Sequence, residues 1–174
     1  IKIAVQMNEK KLITQKEVLD RIVSKNIDEI MHPKVDPELE KVTKPIESGL
    51  PASPGGACGQ IVFTASDAEE WHNKNKKVIL VRHETSPEDV QGMHVSQGII
   101  TAKGGMTSHA ALVARGWGKC CIVGCSDLII NDSKKTVIIK NTILKEGDII
   151  TINGNSGKIY FKKLPLISSN IHLN

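Results

Sequence analysis

The sequence predicts an α/β domain preceded by a helical arm, and three observations carry that expectation. The chain has 174 residues, enough for one core with chain to spare, since a single core typically takes about 100–150 residues. Aromatic residues make up 3% of the chain against 40% apolar residues overall. Ile, Val, Leu and Ala must therefore fill the interior, and the abundant Ile and Val favour strands. From residue 55 onward, short β-rich runs alternate with helix-like segments, which is the pattern of an α/β arrangement.

Residues 14–25, TQKEVLDRIVSK, place Val18, Leu19, Ile22 and Val23 at helical spacing behind Thr14, with Glu17 three residues later. That is a capping-box start to an amphipathic helix. A second short helix is expected over residues 27–31. Pro33, Pro37, Pro45, Pro51 and Pro54 follow and are expected to suppress regular structure. Residues 1–50 thus read as a helical arm and linker whose apolar face needs a neighbour. Ile1 stands where an initiating Met would be expected, as in a piece cut from a longer polypeptide.

A domain over residues 51–164 then carries strands at 60–64, 77–82 and 98–102, with helices beginning at Asp67 and Pro87. A helix over residues 110–115, stopped by Gly116, leads to strands at 120–124, 136–140, 148–153 and 158–162. Gly154 and Gly157 bracket a turn between the last two. Residues 165–174 read as an exit linker, and no internal repeat is present.

Composition excludes several functions. The net charge of +4 is spread over Lys10-Lys11, Lys74, Lys76-Lys77, Lys134-Lys135 and Lys162-Lys163, with few aromatics interleaved. This is a solvated surface, not the dense basic stripe with stacking residues of a nucleic-acid binder. No apolar run is long enough for a membrane span and no signal peptide is visible. The four cysteines, Cys58, Cys120, Cys121 and Cys125, lack both the spacing of a disulfide framework and the paired spacing of a zinc site. They read as buried thiols in an intracellular protein, cytoplasmic by expectation, although an organellar address could lie outside these residues. The six histidines form no metal-ligand doublet, and no hydrolase triad is indicated by spacing.

Chemistry concentrates in residues 101–124, TAKGGMTSHAALVARGWGKCCIVG: strand end, Gly-Gly turn, helix, Gly-x-Gly turn, next strand. Gly104 and Gly105 permit unusual backbone angles and close approach, Thr107 or Ser108 can cap the helix, and His109 falls in its first turn. Unpaired backbone N–H groups and the positive end of the helix dipole suit that position to an anion on the imidazole. The same field disfavours imidazolium and so keeps a nitrogen lone pair available. These are the ingredients of phosphoryl transfer through phosphohistidine. A capping or packing histidine has the same signature, as does a noncatalytic module that binds phosphate reversibly and docks a partner. In RHETSPED, residues 82–89, Ser86 before Pro87 starts a helix, and Arg82 or Thr85 would face the phosphate if this loop lay beside the His109 turn at one sheet edge. His83 and His94 read as structural or exposed. Arg115, more than a turn beyond His109, reads as a helix C-terminal or docking residue.

GGMTSHAALVARGWGKCCIVG resembles the active-site signature of the family that uses phosphoenolpyruvate (PEP) through a phosphohistidine. GLPASPGGACGQIVFTASDAEEW, VILVRHETSPEDVQGMHVSQGIITAKGG and INGNSGKIYF are similar to stretches of the pyruvate, phosphate dikinases. The likeness covers about residues 49–162 and is weaker in the arm. PEP synthase, a relative, shares the histidine helix; Met106, Thr107 and Ser108 before His109, with RHETSPEDVQGMH, point instead to the dikinases.

The resemblance implies a swivelling β/β/α phosphohistidine domain. It implies His109 as phosphoryl acceptor, with Gly104, Gly105, Thr107 and Ser108 around the phosphate. It implies partners in the same polypeptide: an ATP-grasp nucleotide-binding domain before it and a C-terminal PEP/pyruvate barrel after it. Mg²⁺ would be bound in those domains, with no metal or cofactor held by this segment. Thr107 would also be a regulatory phosphorylation site in plant members, where a phosphate adds about two negative charges beside the nucleophile; a plain helix cap is the other reading.

Overall fold

Residues 33–167 are described by the computed structural model and form one compact unit. The helices expected at 14–25 and 27–31 lie outside the described residues. Strand β1 (Lys34–Val35) buries Val35. Helix α1 (Pro37–Val42) follows, where Pro37 occupies the first turn and the Asp36 carboxylate accepts from Glu38 N–H. Proline here pre-sets the backbone of a helix start instead of suppressing it. Two edge strands come next, β2 (Glu47–Ser48) and β3 (Leu50–Ser53).

The centre of the molecule is built from apolar runs. Strands β4 (Gly56–Val62), β5 (Val78–Arg82), β6 (Gly98–Thr101) and β7 (Cys120–Val123) pair in parallel in that order. Their near-continuous burial is what a sheet covered on both faces requires. Helices supply the crossovers: α2 (Ala65–Asn73) after β4, a short 3₁₀ turn at Pro87–Asp89 leading into α3 (Val90–Val95) after β5, and α4 (His109–Trp117) after β6. The meander β8 (Leu128–Asn131), β9 (Thr136–Ile139) and β10 (Thr142–Lys145) then forms its own antiparallel sheet. Strands β11 (Ile149–Asn153) and β12 (Lys158–Tyr160) return to the main sheet, and β13 (Leu166–Ile167) pairs with β1. The eight-stranded order is β2-β12-β11-β4-β5-β6-β7-β3.

The strand alternation sorts the core into two layers. Ile61, Phe63, Ile79, Val81, Ile100 and Ile122 pack with Leu128, Val137, Ile139 and Leu144 of the meander. Val62, Val78, Leu80, Ile99, Cys121 and Val123 pack with Ala68, Met93, Ala110, Ala111 and Ala114 of the helices. The architecture is β/β/α, as expected. Each large side chain buried to completion contributes roughly 2 kcal/mol, and the small alanines of α4 let that helix lie close to the sheet.

Three boundaries differ from the sequence reading. Residues 33–50, expected in the arm, belong to the compact unit: Glu47 and Ser48 extend the edge of the main sheet by pairing with β12. The exit segment likewise begins inside the unit, because Leu166 and Ile167 pair with β1. Gly116 does not stop α4. Gly118 does, in the left-handed conformation at φ 66°, with its N–H on the carbonyls of Ala114 and Arg115, as a C-terminal glycine cap requires.

Candidate functional site

The parallel register decides what meets at the ends of β5 and β6. Arg82, the last residue of β5, pairs with Thr101, the last of β6. Pairing continues past both ends, since Ala102 N–H donates to Arg82 O at 3.1 Å and Lys103 N–H to His83 O at 2.9 Å. The two following loops, 83–86 and 102–108, therefore leave the sheet side by side. This brings Thr85 to His109, with Thr85 Oγ1 2.9 Å from His109 Nδ1. His109 is the first residue of α4 and is half-buried.

Ser108 is the cap: its hydroxyl oxygen accepts from Ala111 N–H at 3.4 Å, and its own N–H donates to Gly105 O at 3.1 Å. Such a cap stabilises a helix by about 1 kcal/mol. The N–H groups of His109 and Ala110, in the first turn, have no acceptor within the helix and lie at its positive end. Gly104 has φ +102°, and a Cβ there would come within 2.9 Å of the Ser108 Cβ. Gly105 has open space where a side chain would be. Thr107 is exposed, and the capping role falls to Ser108.

Arg82 is not brought to His109. Its Nη1 donates to Phe63 O at 3.1 Å and its Nε stands 3.7 Å from Asp89 Oδ1. Asp89, buried at 6% exposure, accepts from Ser86 N–H at 2.9 Å. Arg82 thus braces the loop that carries Thr85, and its charge is spent on Asp89. His83 is exposed, and exposed His94 packs edge-on to Trp117 at 4.8 Å.

Sequence reasoning missed the contacts of Arg115. Its Nε donates to Ala52 O at 2.7 Å, and its Nη2 donates to Met106 O. One guanidinium therefore joins α4, edge strand β3 and the glycine turn. No spacing rule announces this, because Ala52 arrives from the far side of the sequence through β3.

No group of three or more His, Cys, Asp or Glu side chains that could hold a metal ion occurs among the described residues. The cysteines are free thiols, and Cys120, Cys121 and Cys125 are buried. Burial pushes Cys121 and Cys125 up to about 12 and raises Cys120 further, which keeps all three protonated and unreactive.

The chain is similar to known proteins over most of its length. Residues 74–157, which include the histidine turn and both loops, match the family described as PEP-utilising enzyme, mobile domain. Over 95% of the chain, identity is 51% to pyruvate, phosphate dikinase 2 of Oryza sativa subsp. japonica and 52% to its pyruvate, phosphate dikinase 1, chloroplastic. Residues 74–157 belong to the PEP-utilising enzyme mobile-domain family.

The chloroplastic dikinase of Flaveria pringlei is 48% identical over 94% of the chain. The chain spans about a fifth of the length of these relatives, 19% and 18% for the two rice proteins. A solution structure of Enzyme I (nEIt) matches 48% of this chain and 29% of that one at 24% identity and a TM-score of 0.35, a likeness too slight to carry any conclusion. His109, Thr85 and the 104–108 turn occupy one edge of the sheet. The two described grooves lie elsewhere, one of about 420 Å³ beside Glu40, Lys158 and Tyr160 and one of about 560 Å³ beside Cys58, Lys77 and Lys163. No described helix is long and apolar enough to cross a membrane.

Proposed function

We propose that this chain is the phosphohistidine carrier segment of a pyruvate, phosphate dikinase, which interconverts ATP, phosphate and pyruvate with AMP, diphosphate and PEP. The observation that carries this is the 2.9 Å contact between Thr85 Oγ1 and His109 Nδ1 at the start of α4. With Nδ1–H donating to Thr85, the lone pair sits on Nε2, which no described residue engages. In the pyruvate-forming direction Nε2 attacks the phosphorus of PEP. An N–P bond forms, the P–O bond to the enol breaks, and the enolate takes a proton from solvent. The new phosphoryl anion then meets the N-terminal end of α4, where such a charge is stabilised by about 0.3–1 kcal/mol, and by up to about 2 when partly buried.

In this reading Gly104, Gly105, Thr107 and Ser108 form the phosphate environment. The nucleotide and PEP/pyruvate sites, with their Mg²⁺, belong to an ATP-grasp domain and a C-terminal barrel of the same polypeptide, between which this domain swivels. Exposed Thr107 is the hydroxyl open to a regulatory kinase, since Ser108 is occupied as the cap. The setting is intracellular, and the chloroplastic relatives make an organelle the first compartment to examine by cell fractionation.

The test is to label the complete polypeptide with PEP carrying radioactive phosphorus. An alkali-stable, acid-labile label should map to His109, vanish in His109→Gln and fall at least tenfold in Thr107→Glu. Label persisting in His109→Gln would put the nucleophile elsewhere and sink the proposal, whereas reversible phosphate binding with no covalent label would support the docking module. PEP synthase differs in using water as second acceptor from ATP, so a turnover requirement for inorganic phosphate separates the two enzymes.

A further inference from the structure

We propose that Arg115 is a positioning residue for phosphoryl transfer: by clamping the Met106 and Ala52 carbonyls it holds the glycine turn open toward His109. The inference rests on the carrier reading and adds a residue to it. The turn 104–108 carries few constraints of its own. Gly104 sits at φ +102° and Gly105 has no side chain to pack, so two of its residues have the widest conformational freedom available to a chain. Ser108 anchors one end through the Gly105 carbonyl and the Ala111 amide. Met106, 44% exposed, has no buried side chain to anchor the middle.

Arg115 supplies that anchor. Its Nη2 takes the Met106 carbonyl, and its Nε is fixed by the Ala52 carbonyl at 2.7 Å. Ala52 itself is buried at 3% exposure in β3, which pairs with β7. The turn is thereby referred to the sheet through a rigid fork. A carbonyl held by the guanidinium cannot rotate toward the phosphate, where its negative end would oppose the incoming anion. Two divergent acceptors suit the planar guanidinium and not the single ammonium of lysine. Arg115 reaches the reacting nitrogen only through the turn, so it positions and does not react.

The test uses the whole chain with phosphoramidate as the phosphoryl donor, which needs no partner domain. The P–N bond of the donor breaks, ammonia leaves, and an N–P bond forms at His109. Wild type, Arg115→Lys and Arg115→Met are followed by phosphorus NMR, with thermal unfolding and the amide shifts of Gly105 and Met106 recorded alongside. We expect both variants to be phosphorylated roughly 10- to 100-fold more slowly, the scale of a displaced catalytic geometry. Unfolding midpoints should change little, while the two amide signals move. Rates within twofold of wild type overturn the inference, as does a loss that merely tracks the unfolded fraction. A wild-type chain that takes no phosphoryl group overturns the carrier reading instead, because the variants are scored only against a phosphorylated wild type.

Discussion

Thr85 can be reduced to one removable hydroxyl. Thr85→Val keeps the branched shape and deletes the partner of His109 Nδ1. A single hydrogen bond contributes on the order of 1 kcal/mol, and a lost bias of that size lowers a transfer rate roughly fivefold to tenfold. Nitrogen NMR of the ring should show the Nδ1–H tautomer giving way to a mixture, with unfolding stability lowered by no more than about 1 kcal/mol at this partly exposed position. An unaltered tautomer ratio would remove Thr85 from the mechanism. The sequence placed Thr85 and Arg82 in the same loop and could not choose between them. The choice came from Asp89 and the Phe63 carbonyl, which draw the Arg82 guanidinium inward, and neither acceptor is visible in the order of residues. Arg115 was out of reach for the same reason: its acceptors are backbone oxygens in other elements.

At the scale of elements, the turn before α4 depends on one glycine far more than on its neighbour. Gly104→Ala puts a Cβ at φ +102° and within 2.9 Å of the Ser108 Cβ. The backbone strain is about 1–3 kcal/mol, and displacing Ser108 threatens a cap of about 1 kcal/mol. We expect urea unfolding to show a loss of about 2 kcal/mol or more, with slower phosphoryl transfer. Gly105→Ala meets nothing within 4 Å and has no positive φ, so its stability should stay within about 0.5 kcal/mol of wild type. Equal losses at the two positions would refute this account of the turn. The central strands were legible because consecutive apolar residues announce a strand buried on both faces, and α4 because a capping hydroxyl opens a run of helix formers. The strands at Glu47–Ser48 and Leu166–Ile167 were not, because each is two residues long and has meaning only beside its partner. The meander strand at Thr142–Lys145 buries only Leu144, too little for a pattern of its own.

For the whole molecule, the buried thiols join alkaline pH to the integrity of both core layers. Cys120 and Cys125 lie in the layer facing the meander, and Cys121 lies in the layer facing the helices. Burial raises all three, Cys121 and Cys125 from 9.0 to about 12. A raised folded value means that the native state holds its protons longer than the unfolded chain. The stabilisation is therefore complete below about pH 9 and is lost as the unfolded thiols ionise between there and about 12. Each such group contributes at most about 1.4 kcal/mol per pH unit in that window. Tyr160, raised from 10.0 to about 12 first by burial and then by Glu40, adds in the same sense above pH 10. Lys119 is lowered by burial and works in the opposite sense, but it is one partly buried group against three thiols. Unfolding free energy should accordingly be flat from pH 7 to 8.5 and fall by about 2–4 kcal/mol by pH 10, with a shallower fall in Cys125→Ala. At pH 8 a thiol reagent should find half-buried Cys58 first and the other three only after denaturant is added. Because the thiols sit on opposite faces of one sheet, ionising any of them should unfold both layers together, so fluorescence and far-ultraviolet circular dichroism should report a single alkaline transition. Two separated transitions would mean that the meander and helical layers stand independently on the sheet.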